Sequence, residues 1–366
     1  MSVPLAGHES LGVRWSSTDE ATRLPRNYGD AAAEYRAARE HAIVVDRCDR
    51  GVLRMHGRDP LRILQGIVTN DVAGAADRAV YAALLTPKGR MLTELRIVRA
   101  RGESGSGDVF LLELPALAID AVLASFRRTV PPLYARYADA SAELHVLGVY
   151  GPAARAALAP ALTGTLPPAH EDALAHVAFE ETPGHVIGTR YAGVDGYDVL
   201  LPRASAERLW TVLRDGDVRP AGHAALDVLR IEAGSPKWGA ELTEETIPLE
   251  AGLRDRAIST GKGCYTGQEV IIRILHRGHV NWQLRGLLLG ESPGVAPGTP
   301  LQHPETGRPL ARITSVAWSP RHDQEIALGY VRREVAPPTL LELGTGRGRA
   351  RVVALPFEPA DVPAQH

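Results

Sequence analysis

The apolar positions of the chain switch repeatedly between two periods. In "GDAAAEYRAAREHAIVVD" (29–46), Ala33, Tyr35 and Ala38 recur at helical spacing and the run Ala42–Val45 follows, which predicts a helix and then a short strand. "GVLRMHG" (51–57) alternates as a strand does. "DPLRILQGIVTNDV" (59–72) opens with Asp59 as N-cap and Pro60 at the first helical position. "YAALLTPKGRMLTELRIVRA" (81–100) reads as strand, turn at Pro87–Gly89, strand, and "ESGSG" (103–107) as a flexible tip. "VFLLELPALAIDAVLASF" (109–126) is interrupted by Glu113, Pro115 and Asp120, so it predicts a strand and a helix rather than a membrane span of about 20 apolar residues.

The same mixture returns further along. "ELHVLGVYG" (143–151) is a strand, "PAARAALAPAL" (152–162) a helix, and "VIGTRYAGVDGYDVLLP" (186–202) a pair of strands turning at Gly193 and Gly196. "ASAERLWTVLRD" (204–215) and "GHAALDVLRIEAGSP" (222–236) are helices, the second stopped by Gly234 and Pro236. Near residue 284 the texture changes. "LRGLLLG", "ARITSVAW", "EIALGYVRR" and "GRARVVAL" are short alternating runs separated by Gly and Pro, as in a small antiparallel barrel. "GTGRGRAR" (344–351) fits a turn between such strands, because no helix follows to make it a phosphate loop. The fold class is therefore α+β. The predicted organisation is an N-terminal arm (1–27), read as loose, a mixed α+β region of two lobes (28–283), an antiparallel barrel (284–356) and a tail (357–366).

Composition narrows the function. The 366 residues carry 41 Lys and Arg against 43 Asp and Glu, a net charge of −2, which offers no footprint for nucleic acid or an anionic membrane. No targeting segment is recognised at the start, so a cytoplasmic location is expected. Two cysteines, Cys48 and Cys264, exclude a disulfide scaffold. His276 and His279 lack an obvious third ligand, and no metal site is predicted. "ELTEET" (241–246) reads as an exposed helix start.

Cys264 lies in "KGCYTGQEV" (262–270). Thr266 and Glu269 have the spacing of a capping box, which starts a helix just beyond the thiol. A helix N-terminus and the neighbouring Lys262 both favour a thiolate, and Gly263 permits close approach or a positive φ. A reactive or ligand-binding thiol and a small core cysteine both fit this setting. Tyr265 and Trp238 likewise fit either stacking on a flat ligand or the core. Arg273, Arg277 and Arg285 offer positive charge to an anion, or form a solvated face.

The stretch "KGCYTGQE" resembles the signature K-G-C-[FY]-x-G-Q-E of the YgfZ family of folate-binding proteins, relatives of the glycine-cleavage T-protein, an aminomethyltransferase. "LQGIVTNDV" (64–72), "TPKGRMLTELRIV" (86–98), "RYAGVDGYDVLLP" (190–202) and "LRIEAGSPKWGAELTEETIPLEAGL" (229–253) resemble other segments of that family, so the likeness spans roughly residues 28–356. It implies two α+β lobes and a barrel around a channel for tetrahydrofolate or another reduced folate. It implies Cys264 as functional thiol and Arg230, Lys262, Gly263, Tyr265, Gly267, Gln268 and Glu269 as ligand-binding residues. It also implies a role in assembling or maintaining iron–sulfur enzymes, with those enzymes or cluster-assembly proteins as partners.

Two departures from the T-protein pattern bear on catalysis. Its aspartate pair becomes Thr93-Glu94, leaving one carboxylate that is one carbon longer, and a hairpin glutamate becomes Val194, which accepts no hydrogen bond. Whether the chain is an enzyme stays open on the sequence. The leading expectation is a folate-binding accessory protein; the alternative is a folate-dependent aminomethyl or one-carbon transferase using Glu94.

Overall fold

The computed structural model describes residues 3–20, 22–73, 78–100, 108–290, 294–344 and 348–358. The expected tip at 103–107, part of the 344–351 turn and most of the tail lie outside these residues. The chain forms two compact units. One takes in the chain as far as Pro87, then Leu92–Leu226 and Arg256–Thr266; the other takes in Lys88–Met91, Asp227–Asp255 and the chain from Gly267 onward.

In the first unit the predicted helix start at Asp59 is realised, and a second cap, not predicted, forms at Asp30. Asp30 accepts from the Ala33 N–H at 2.9 Å at the head of helix Ala31–Glu40, and Asp59 from Arg62 at 3.2 Å ahead of helix Pro60–Ile67. Each cap satisfies a helix N–H that would otherwise lack a partner. The five-stranded sheet runs in the order Val80–Leu85, Met91–Ala100, Val109–Pro115, Arg50–His56, Arg136–Asp139. The six-stranded sheet runs Leu174–Phe179, Thr182–Thr189, Gly196–Pro202, Leu144–Tyr150, Ile43–Asp46, Arg219–Pro220, and only its last pair is parallel.

Strand alternation sorts the side chains of the six-stranded sheet. On one face Val44, Leu147, Val149, Val199 and Leu201 pack on Leu158, Leu209, Trp210 and Leu213 of the covering helices. On the other face Val146, Ile187 and Leu200 meet Val52, Val98 and Leu111 of the five-stranded sheet. Following these inner strands two residues at a time from the apolar patch leads to Arg50, Arg96, Glu94, Glu113, Asp198 and Tyr150. The space between the sheets is thus apolar at one end and ionic at the other.

The N-terminal arm, expected to be loose, is docked. The Leu5 N–H and His8 Nε2 both donate to Asp46 Oδ2, at 2.7 and 2.8 Å, and Arg203 donates to the carbonyls of Val3 and Pro4. His145 donates to the other Asp46 oxygen at 2.7 Å. Burial alone would raise the Asp46 pKa, but His145 and His8 hold it well below the usual carboxylate range.

In the second unit the helix that ends at Glu232 stops with Gly234 at φ 72°, as its sequence predicts. The barrel closes six strands in the order Trp282–Gly290, Gln324–Arg332, Pro309–Ser319, Pro300–Gln302, Thr339–Leu343, Arg349–Val353. Leu287, Leu301, Ile313, Leu341 and Val352 are part of its core, and Phe357, buried, packs outside against Ile231. The fold is mixed α and β with antiparallel sheets and a closed barrel.

Candidate active site

The ionic end of the first unit is one connected chain of side chains. Arg50 forks onto Glu94 with Nη1 and Nη2, and its Nε donates to Glu113. Arg96 donates from Nε to the other Glu113 oxygen at 2.5 Å and from Nη2 to Asp198 at 2.5 Å. The Tyr150 hydroxyl donates to Asp198 at 2.5 Å and accepts from Arg47, which in turn grips Asp49 at 2.8 and 3.1 Å. Burial would raise the pKa of Glu113, yet Arg50 and Arg96 hold it at about 2. The same pairings raise the pKa values of Arg47, Arg50 and Arg96 against the opposing effect of burial.

Two glycines make room for this chain. A Cβ on Gly148 would lie 2.2 Å from the Tyr150 oxygen, and one on Gly196 would lie 2.4 Å from its ring. Tyr150 therefore reaches Asp198 only because both neighbours lack side chains.

Of the pair Thr93-Glu94, only Glu94 faces between the sheets, since neighbouring strand residues point to opposite faces. Thr93 is buried on the other side, its hydroxyl donating to the Glu94 carbonyl at 3.0 Å. Tyr81 is buried near Glu94, and its phenol pKa is raised by burial first and then by the Glu94 charge. The Arg256 guanidinium lies 3.9 Å above the Tyr81 ring and pairs with Glu171 at 2.6 Å. Its Nε is a buried donor with no partner among the described residues. Val194 is half-buried in the turn after Thr189, where Gly193 has φ 67° and Asp195 accepts from the Gly151 N–H.

The segment 256–266 is stitched to residues 66–70. Lys262 Nζ donates to the Val68 and Asn70 carbonyls at 2.6 and 2.8 Å and sits 5.3 Å above the Tyr265 ring. Thr69 donates to the Ala257 carbonyl and Asn70 to those of Tyr81 and Arg256. Burial lowers the Lys262 pKa to about 8, with Asp71 opposing. "IVTND" and "KGCYT", far apart in sequence, are thus one structural piece.

The expected capping box does not form. Gly267, at φ 80°, takes the N-cap position, no side chain caps the helix Gln268–Arg277, and Glu269 is exposed and paired with Arg273. Cys264 is exposed, which rules out the core reading, while Cys48 is buried and burial raises its thiol pKa. Lys262 faces residues 68–70, and the helix begins four residues beyond Cys264 in sequence, not two. Gly263 has no positive φ, and a Cβ there would meet nothing within 4 Å. Tyr265 is buried, Trp238 and Gln268 are half-buried, and His276 and His279 are exposed.

Arg230 lies in the second unit, 3% exposed. Its guanidinium donates to Glu241 at 2.8 Å, Ser315 at 2.7 Å and Asp227 at 3.0 Å. Glu241 is wholly buried and also accepts from Thr314, Ser315 and the Lys237 N–H, so "ELTEET" is not an exposed helix start. Sequence reasoning missed Arg50, Arg96, Glu113, Asp198 and Arg256. For the four strand residues the one signal is a charge at an inward position of an otherwise apolar strand, as in "FLLELP" and "GYDVLLP"; Arg256, on the short helix Arg254–Ala257, has no such signal.

Residues 6–262 match the family model described as the GCVT N-terminal domain, and residues 283–358 match the glycine cleavage T-protein C-terminal barrel domain. The chain is 33% identical over 362 residues to an aminomethyltransferase of Rubrobacter xylanophilus, covering 96% of this chain and 92% of that one. It is 31% identical over 349 residues to an aminomethyltransferase of Moorella thermoacetica, covering 91% of each. The crystal structure of glycine cleavage system aminomethyltransferase T from Bartonella henselae shares the fold, with TM-score 0.84, 24% identity and 96% of both chains covered. The chain belongs to the glycine-cleavage T-protein family.

Proposed function

We propose that the protein binds a reduced folate and transfers a one-carbon unit to it, as an aminomethyltransferase-type enzyme. The observation that carries this reading is the Glu94 carboxylate, which stands where the T-protein has its aspartate pair and is fixed by Arg50 beside Tyr81. The donor set suits a reduced pterin: Glu94 accepts from ring N–H groups and the partnerless Nε of Arg256 donates. A reduced folate supplies the nucleophilic ring nitrogen that takes up the carbon, whose bonds to the amine and to the carrier break, releasing ammonia and the free carrier. Glu94 orients that nitrogen and accepts its proton, and Arg50 holds the carboxylate in place as charge changes. The full-length likeness to aminomethyltransferases supports the assignment. The test is to titrate tetrahydrofolate into the protein by calorimetry and then supply an aminomethylated carrier protein. Binding followed by formation of methylene-tetrahydrofolate is expected; binding without transfer refutes the reading.

A second reading has one specific observation in its favour. The transfer chemistry leaves Cys264 unused, yet that thiol is exposed within the "KGCYTGQE" signature. A YgfZ-type accessory protein would use Cys264 as its functional thiol, bind folate as a ligand, and support iron–sulfur enzymes or cluster-assembly proteins as partners. Both readings fit a cytoplasmic protein.

A further inference from the structure

Glu94 does not hold its own position. It is the end member of an alternating series, Glu94–Arg50–Glu113–Arg96–Asp198, in which each inner group is bonded on both sides. Arg96 and Glu113 are direct partners across adjacent strands, so the backbone register fixes the middle of the series. Glu113 is gripped by Arg96 on one oxygen and offers the other to Arg50 Nε. A planar guanidinium fixed at Nε has its two remaining nitrogens aimed in one direction, and here that direction is the Glu94 carboxylate.

We propose that Arg50, oriented by Glu113, is the positioning residue for Glu94, and that it adapts the site to a glutamate where the T-protein pattern has aspartate. The proposal rests on the transferase reading. An aspartate at position 94 would withdraw the carboxylate from Arg50 by about one carbon–carbon bond, ~1.5 Å. Misplacing a reacting group by about 1 Å costs roughly a hundredfold in rate. Arg50 touches Glu94 and Glu113 and acts on the folate only through Glu94, so its effect is expected chiefly on turnover, with a smaller one on folate binding.

The experiment measures kcat, and KM for tetrahydrofolate, in one-carbon transfer by wild type, Arg50→Gln, Arg50→Lys, Glu94→Gln and the double variant Arg50→Gln/Glu94→Gln. Arg50→Gln is expected to lower kcat by roughly a hundredfold while KM stays within about threefold. Arg50→Lys should recover part of the loss, because it restores the charge without the fork. In the Glu94→Gln background, Arg50→Gln should cost less than about twofold more, since the two residues act as a unit. Unchanged kcat in Arg50→Gln, or losses that simply multiply in the double variant, overturns the proposal. If Arg50→Gln does not fold by circular dichroism, Glu113→Gln replaces it, with the same kcat loss expected and an unchanged kcat overturning the proposal. A wild type that shows no transfer refutes the proposed function itself, which separates that failure from this one.

Discussion

Arg230 Nη1 donates to Glu241 Oε2 at 2.8 Å, and neither side chain is more than 4% exposed. Arg230 looks from the sequence like a folate ligand, and the structure gives its guanidinium a structural partner set of Glu241, Ser315 and Asp227. Removing one member of a buried pair strands the other's charge in a poorly solvating interior. Arg230→Met should therefore destabilise the protein by about 3–5 kcal/mol. Urea unfolding measures this, and a variant as stable as wild type contradicts the structural role.

His185 gives the protein an acid-sensitive element. It faces His176 across adjacent strands, with ring centroids 5.0 Å apart. Burial first, and the His176 charge second, lower its pKa from the ordinary 6.5 to about 4. The folded state thus disfavours protonation relative to the unfolded chain. The associated stability is fully present above pH 6.5 and is lost as pH falls towards 4. His185→Gln should remove on the order of 2 kcal/mol of the stability difference between pH 7 and pH 4. Denaturant unfolding at both pH values checks this, and an identical pH dependence in the variant contradicts it.

The two thiols should separate cleanly. Cys264 is exposed and Cys48 is 2% exposed. Native protein treated with iodoacetamide should be alkylated at Cys264 alone, with Cys48 labelled only after denaturation. Peptide mass spectrometry reads both sites, and native labelling of Cys48 would contradict its burial.

Local chemistry was legible in the sequence and partner identity was not. The cap at Asp59 depends on a side chain bonding within three residues, so spacing alone reveals it. The hairpins before Met91 and Gly196 follow from alternation and turn residues. The capping box failed for a local reason too: Gly267 takes the left-handed conformation and moves the cap one residue on. The docked arm has no periodicity to announce it, because its anchor is Asp46, 41 residues beyond Leu5. The same limit hid the site's supporting residues. The sequence displays Glu113 as a charge in an apolar strand, but only the register across the sheet names Arg96 as its partner. Glu94 was found through family resemblance, and Arg50, 44 residues away, had no sequence signal linking it to Glu94.

The most direct measurement of the central claim is methylene-tetrahydrofolate formation from tetrahydrofolate and an aminomethylated carrier protein, compared in wild type, Glu94→Gln and Cys264→Ser. The transferase account predicts turnover by wild type, loss of at least about a hundredfold in Glu94→Gln, and retention of activity in Cys264→Ser. No product from wild type, or activity that survives in Glu94→Gln and disappears in Cys264→Ser, would contradict it.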